Sequence, residues 1–238
     1  MTKPNGNPAD TMIEEQLEAL RGTLIVSCQA YPGEPMRDPR TMAQIAVAAR
    51  IGGAAAIRAQ GVEDIRAIKA AVDVPVIGLI KDGDAGVFIT PTLDHCLAVI
   101  EAGADILALD GTTRVRPDGR SLAETVAAVR ERWPGPIMAD CDTVEAGVQA
   151  SAAGCTIIGT TLAGYTDARE KTAGPDLALI GELRAALPDA FIVAEGRIHR
   201  PEQAAAALAA GADAVAVGTA ITHPTTITGW FAEAIADA

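Results

Sequence analysis

The sequence predicts a closed (β/α)8 barrel preceded by one short helix. Three observations carry this. Short apolar runs alternate eight times with helical stretches, which implies parallel pairing with the helices outside. A segment running from helix end through glycine and a turn into a strand recurs four times. It reads RIGGAAAIR at Arg50–Arg58, EAGADILALD at Glu101–Asp110, SAAGCTIIGT at Ser151–Thr160 and AAGADAVAVG at Ala209–Gly218. The 238 residues also fit eight such units in one domain. A doubly wound open sheet is the runner-up, but it needs a strand-order reversal that this regularity does not suggest.

Taken in order, residues 1–10 are polar and rich in proline and glycine, and read as disordered. Thr11 opens a short helix because Thr11-x-x-Glu14 has the capping-box form, with Met12, Ile13, Leu17 and Leu20 as its apolar stripe. Residues 1–21 therefore form a tail and helix outside the repeat, and residues 22–238 form the barrel. Strands are expected at Leu24–Cys28, Ala55–Arg58, Val76–Ile80, Ile106–Asp110, Ile137–Asp140, Thr156–Thr160, Phe191–Glu195 and Ala214–Val217. Helices are expected at Thr41–Ile51, Val62–Val72, Thr92–Ala102, Ser121–Arg132, Thr143–Ala152, Asp176–Leu187, Pro201–Ala210 and Thr225–Ala236. Gly53, Gly103, Gly154 and Gly211 serve as left-handed helix stops.

Composition narrows the function. A net charge of −12 argues against a nucleic-acid surface. An anionic ligand would need its positive field supplied locally. No apolar run approaches membrane-spanning length, and the start is not a signal peptide. Cys28, Cys96, Cys141 and Cys155 are scattered, without CxxC or metal-ligand spacing. They read as reduced and buried, so the expected compartment is the cytoplasm. Oligomeric state is not fixed by the sequence, and a homodimer is compatible with it.

In a barrel of this kind the site lies at the carboxyl ends of the strands. Those ends carry Cys28 and Gln29, Arg58, Lys81, Asp110, Asp140, Thr160, Glu195, and Gly218 with Thr219. Lys81 stands out. It follows the apolar run VIGLI, and a lysine held at such a rim has a lowered pKa and becomes a usable base. The bland alternative is a lysine snorkelling to solvent. Structural alternatives exist elsewhere too, since Asp110 and Asp140 can cap turns and Arg58 can pair with a neighbouring acid. Gly196-Arg197 after strand seven and Gly218-Thr219 after strand eight occupy the loops where barrels often hold phosphate. Neither GxxxxGK[ST] nor GxGxxG is present, so the grip suits a sugar phosphate and no nucleotide cofactor is expected. His95 and His199 read as surface and helix-start residues, and no histidine has metal-ligand spacing. One lysine with several carboxylates suits moving a proton on a carbon beside a carbonyl, which needs neither metal nor cofactor.

These residues carry a resemblance. The motifs are SCQA at Ser27–Ala30, PGEPM at Pro32–Met36, IRA at Ile57–Ala59, GLIK at Gly78–Lys81 and FITPT at Phe88–Thr92. They continue with LDGTTRVRPDG at Leu109–Gly119, MAD at Met138–Asp140 and GTTLAGYT at Gly159–Thr166. AEGRI at Ala194–Ile198 and VGTAIT at Val217–Thr222 complete them. In order, across all eight strand ends, the chain resembles the N-acetylmannosamine-6-phosphate 2-epimerase family, ribulose-phosphate-binding-type TIM barrels of sialic acid breakdown. The resemblance implies interconversion of N-acetylmannosamine 6-phosphate and N-acetylglucosamine 6-phosphate. It implies Lys81 as catalytic acid–base, with Glu195 as its carboxylate partner or second proton handler. Gln29, Arg58 and Asp140 would hold the sugar hydroxyls and N-acetyl group. Gly196, Arg197, Gly218 and Thr219 would hold the phosphate. The chain departs from the family pattern at His223, where arginine is usual near the phosphate end, and in a shortened loop at Asp82–Gly86. Gly111 and Asp142 are further departures. Two other readings compete: a lysine Schiff-base aldolase on the same scaffold, and a phosphosugar-binding protein without turnover.

Overall fold

The structure is a computed structural model that describes the backbone from residue 8 and the side chains from residue 11 to residue 238. Eight parallel strands close into a ring in sequence order, each hydrogen-bonded to its neighbours and the eighth to the first. They are β1 (Leu24–Cys28), β2 (Ala56–Gln60), β3 (Val76–Leu79), β4 (Ile106–Asp110), β5 (Ile137–Asp140), β6 (Ile157–Gly159), β7 (Phe191–Glu195) and β8 (Ala214–Val217). Helix α1 (Pro8–Leu20) precedes the ring. Helices α2 (Pro39–Ile51), α3 (Val62–Lys69), α4 (Leu93–Glu101), α5 (Leu122–Arg130), α6 (Val144–Ala152), α7 (Leu177–Ala186) and α8 (Pro201–Ala209) connect the strands. A short α9 (Thr219–Thr222) and a longer α10 (Pro224–Ala236) end the chain. Among the described residues no helix is long and apolar enough to cross a membrane.

The expected helix starts are caps. Thr92, Thr143 and Asp176 stand just before their helices, and each side chain accepts an N–H of the first turn. The Ser121–Glu124 capping box is formed in both directions. The Thr11 box is not the start of its helix, because α1 begins at Pro8, where proline suits the first turn. Residues 8–10 are therefore helical, and the rest of the expected disordered start lies outside the described residues. Helix α3 stops at Lys69, three residues before the expected end, as Ala71 and Val72 both donate to the Ile68 carbonyl. The four repeat glycines do take positive φ, between 96° and 114°.

Strand residues alternate between two cores, as a period of two requires. Ile25, Ala56, Ile77, Leu79, Ala108, Met138 and Val193 fill the barrel interior. Val26, Ile57, Leu107, Ala139, Ile158, Ile192 and Val215 face the helices. Helix α1 plugs the amino-terminal end, with Leu20 buried in the inner cluster and Leu17 against it. There Asp213 accepts from Arg21, from Arg184 and from the Ile192 amide. Strand β6 is shorter than expected, and threonine hydroxyls add to the backbone pairing at both of its ends. Thr156 Oγ1 bonds both backbone groups of Ile137, and Thr160 Oγ1 bonds both of Glu195.

Gly78 shows how tightly β3 is held. A Cβ there would come within 2.7 Å of Ala104 Cβ, 2.8 Å of Val99 Cγ1 and 2.9 Å of Ile65 Cδ1. Gly78→Ala is expected to cost about 1–3 kcal/mol through overpacking. Thermal denaturation should show the midpoint falling by about 2–12 °C; an unchanged midpoint would mean that the helices give way freely.

Candidate active site

The same alternation selects the residues at the mouth of the ring. Counting by twos from the inner cluster, Ile25 leads to Ser27, Ala56 to Arg58, Leu79 to Lys81, Met138 to Asp140 and Val193 to Glu195. Each continues an apolar inner row, so the fold carries a polar ring above a dry core. A cavity of about 340 Å³ opens there, lined among others by Gln29, Arg58, Lys81, Glu195, Gly218 and Thr219.

Lys81 is fixed by its backbone. The loop after it turns back on β3, with Lys81 bridging Ile89, Asp82 donating to Phe88 and Thr90 to Ile80. Thr90 holds a left-handed backbone (φ 43°), and its hydroxyl donates to Ala108 O at 2.6 Å. The shortened loop thus works as a clamp. The Lys81 amine has no hydrogen bond or ion pair among the described residues, and it lies 5.3 Å from the centre of the Tyr31 ring. Its pKa is lowered to about 8, first by burial and then by the Arg58 charge, while Glu195 and Asp140 pull the other way. Burial therefore outweighs the pull of the two carboxylates, as expected for a lysine at the rim.

Arg58 is buried across the mouth. Its Nη2 pairs with Asp140 and its Nη1 with Glu195, while Thr161 Oγ1 lies 3.2 Å from Nη1 and 2.7 Å from Asp140 Oδ1. Burial works against the Arg58 charge, but the two carboxylates outweigh it and hold its pKa up. The Glu195 pKa is raised, first by burial; the Asp140 charge adds to this and Arg58 opposes it. Glu195 is thus the ion-pair partner of Arg58 and forms no such pair with Lys81, though both line the cavity. Asp140 departs from its expected place at the cavity wall. It is 0% exposed beneath Arg58, pairs with it and does not line the cavity.

The phosphate-loop expectation divides in two. Gly196, Arg197, Gly218, Thr219 and His223 all line the cavity. Gly196 has φ +109°, which a side chain would strain, and Gly218 caps α9, whose first amides have no intrahelical acceptor. The Arg197 side chain departs from expectation. Its Nε donates to Gly174 O at 3.0 Å, its Nη1 to Ala163 O at 2.6 Å and its Nη2 to Thr172 Oγ1 at 3.0 Å. Three of its N–H groups are thus engaged with the β6–α7 loop, while the residue also borders the cavity. His223 is nearly buried, with its ring 5.0 Å from that of Tyr31 and its Nδ1 3.4 Å from Glu34 Oε1.

Three buried side-chain polar atoms have no hydrogen-bond partner among the described residues: Gln29 Oε1, Arg58 Nε and His223 Nδ1. All three residues line this one cavity. Buried polar groups are nearly always paired, so the concentration marks a place prepared for a polar ligand.

Other sequence candidates lie away from the cavity, except His199. Asp110 caps its own turn, accepting from the Thr112 amide and hydroxyl and from Arg114. His95 is bonded to Thr92 on α4, while His199 reaches the cavity rim with its ring against Trp230. Ser27, Tyr31, Thr161 and Tyr165 line the cavity and were not singled out from the sequence. Ser27 extends the inner row of Ile25 by two and Thr161 that of Ile157 by four, through Gly159, so the period reaches both; Tyr31 and Tyr165 are loop residues with no such period.

Comparison with known proteins agrees with this geometry. Residues 42–237 match the family model described as "Putative N-acetylmannosamine-6-phosphate epimerase". A protein of Cutibacterium acnes named for the corresponding 2-epimerase is 55% identical over 220 residues, which is 92% of this chain and 96% of that one. One from Corynebacterium glutamicum strain R is 50% identical over 216 residues, 90% of this chain and 93% of that one. The solved N-acetylmannosamine-6-phosphate 2-epimerase from Clostridium perfringens superposes with a TM-score of 0.87 at 36% identity, covering 98% of each chain. A thiamine phosphate pyrophosphorylase from Pyrococcus furiosus, at TM-score 0.59 and 17% identity, shares the fold alone.

Proposed function

We propose, from the premise that the chain belongs to the N-acetylmannosamine-6-phosphate epimerase family, that it interconverts N-acetylmannosamine 6-phosphate and N-acetylglucosamine 6-phosphate by proton transfer at C2. The observation that carries this reading is an unpaired Lys81 amine with a pKa near 8, sharing one cavity with Glu195. These groups come from β3 and β7, four places apart in a ring of eight and so on opposite walls. That arrangement suits epimerisation, because the proton leaves one face of C2 and a proton returns to the other.

The C2 proton becomes acidic in the open-chain aldehyde. One group removes it, a hydrogen-bond donor steadies the enolate oxygen, and the opposite group returns a proton. Arg58, with an Nε–H lacking a partner among the described residues, is the candidate donor; stabilising charge where it develops is a large catalytic effect in a desolvated site. Gln29, whose amide donates to Ser27 Oγ at 2.8 Å and leaves its carbonyl free, is the candidate acceptor for a sugar hydroxyl or the N-acetyl N–H. The amides around Gly196 and Gly218, with the Thr219 hydroxyl and His223, are the candidate phosphate grip.

The test is proton NMR in deuterated water with purified protein and N-acetylmannosamine 6-phosphate, without added metal or cofactor. Deuterium should enter at C2 as the second epimer accumulates; no epimer and no exchange would end this reading. An unpaired amine of lowered pKa is also what a Schiff-base lysine needs. Borohydride trapping of a substrate adduct on Lys81 would favour that second reading.

The pH profile follows from the two proton handlers. In either direction one must be a base and the other an acid, so the pair must hold one proton between them. Raised pH strips that proton near Lys81's pKa of about 8. Lowered pH adds a second at the raised pKa of Glu195. The plot of kcat/KM against pH should be a bell, falling above about pH 8 and with its acid limb above the ordinary glutamate range. A rate flat from pH 6 to 10 would exclude Lys81 from proton transfer.

A further inference from the structure

The β6–α7 loop, residues 160–176, supplies Thr161, Leu162 and Tyr165 to the cavity wall. Arg197 reaches it from the next loop. Its acceptors lie on both limbs, with Ala163 near the start and Thr172 and Gly174 near the end. Between those limbs is Tyr165, whose ring centre is 5.2 Å from Arg197 Cζ and 4.8 Å from Lys171 Nζ. The limbs are closely apposed, since a Cβ on Gly164 would come within 2.6 Å of Lys171 Cα. Arg197 is also one of two non-glycine residues with positive φ among the described residues, at 56°. Such a backbone is costly for a residue with a side chain and persists only when its surroundings over-determine it. Three hydrogen bonds and a stacked ring are such surroundings.

We propose that Arg197 is a positioning residue that straps the β6–α7 loop down as one wall of the cavity, and that its guanidinium is not a ligand of the substrate phosphate. The strap fixes Thr161, which bonds Asp140 and lies beside Arg58 Nη1, and so reaches the Arg58–Glu195 pair. It also fixes Tyr165 at the rim. A planar fork is required, because three acceptors in different directions cannot be served by one ammonium. The catalytic part of this inference rests on the epimerase reading; the loop-holding part does not.

The experiment compares wild type, Arg197→Lys and Arg197→Ala by amide hydrogen exchange without ligand and by steady-state kinetics. It also measures inhibition by inorganic phosphate. If Arg197 is a strap, amides of residues 163–174 should exchange about tenfold faster or more in both variants, with other barrel amides unchanged. KM for the phosphosugar should rise about tenfold and kcat fall several-fold in both, with lysine giving no rescue. The phosphate inhibition constant should stay within about twofold of wild type, because Arg197 contributes no contact to the anion. The strap is overturned if loop exchange is unchanged, or if lysine restores wild-type kinetics while alanine weakens phosphate inhibition in step with KM. If wild type shows no turnover, the epimerase reading fails, and the exchange comparison still decides whether Arg197 holds the loop. Should the alanine variant fail to fold, the lysine variant decides alone, since a point-charge grip and a fork predict opposite results for it.

Discussion

Replacing Lys81 by methionine is expected to lower the rate of C2 proton exchange by about 10²–10⁴-fold, the range that a positioned general acid–base supplies. The argument is local. Lys81 forms no hydrogen bond or ion pair among the described residues, so methionine removes the amine and little else. The backbone clamp between Lys81 and Ile89 remains available to any side chain. Stability gives an independent check with a definite sign. The folded pKa is depressed from 10.5 to about 8, so the folded protein binds this proton less tightly than the unfolded chain does. The lysine is therefore a liability in full below about pH 8, and that liability fades between pH 8 and 10.5. Lys81→Met should melt no lower than wild type at pH 7, with any advantage shrinking as the pH passes 10. Exchange at the wild-type rate in a folded variant would remove Lys81 from the chemistry.

Replacing Arg58 by leucine is expected to produce the largest loss of stability. Arg58 is 1% exposed, and it holds Asp140, which is 0% exposed, and Glu195 together. Removing one partner of a buried ion pair costs about 3–5 kcal/mol, because the remaining charge stays buried without compensation. For a chain of this size that corresponds to a melting midpoint lower by about 6–20 °C. The loss should shrink at acid pH. The Glu195 pKa is already raised by burial, and without the opposing guanidinium this carboxylate takes up a proton more readily in the folded state than in the unfolded chain, so lowering the pH favours folding of the variant. Activity should fall as well, since the enolate loses its donor and Glu195 its partner. Arg58→Lys should recover part of the stability, because one ammonium cannot bridge two carboxylates as a fork does. A midpoint within 2 °C or so of wild type for Arg58→Leu would refute the buried-network account.

The barrel and most of the mouth are legible in the sequence for one reason, the strand period of two. A residue that extends an inner row beyond the last apolar position must face the axis. That places Arg58, Lys81, Asp140 and Glu195 without any knowledge of contacts. The period does not say which polar residue pairs with which. Glu195 bonds Arg58, and Lys81 is left unpaired, because β2 carries a fork that reaches both β5 and β7. The period also holds only while the backbone stays extended, as it does through Lys81 in its bridge to Ile89. Arg197 lies two residues beyond β7 on a left-handed backbone, so the rule that placed Glu195 says nothing of its direction, and its guanidinium serves the neighbouring loop. Tyr31 and Tyr165 likewise reach the cavity from loops.

From the sequence alone came the number of strands, their order around the axis, the capped helix starts and the chemistry gathered at the carboxyl ends. Those follow from local rules, namely apolar periodicity, capping and the left-handed glycine. The tertiary structure alone decided the charge pairing. Whether Lys81 is a spare amine or half of an ion pair depends on which carboxylate reaches which cation across the ring. Residues 58, 140 and 195 come from three strands whose separation in the chain carries no record of that distance.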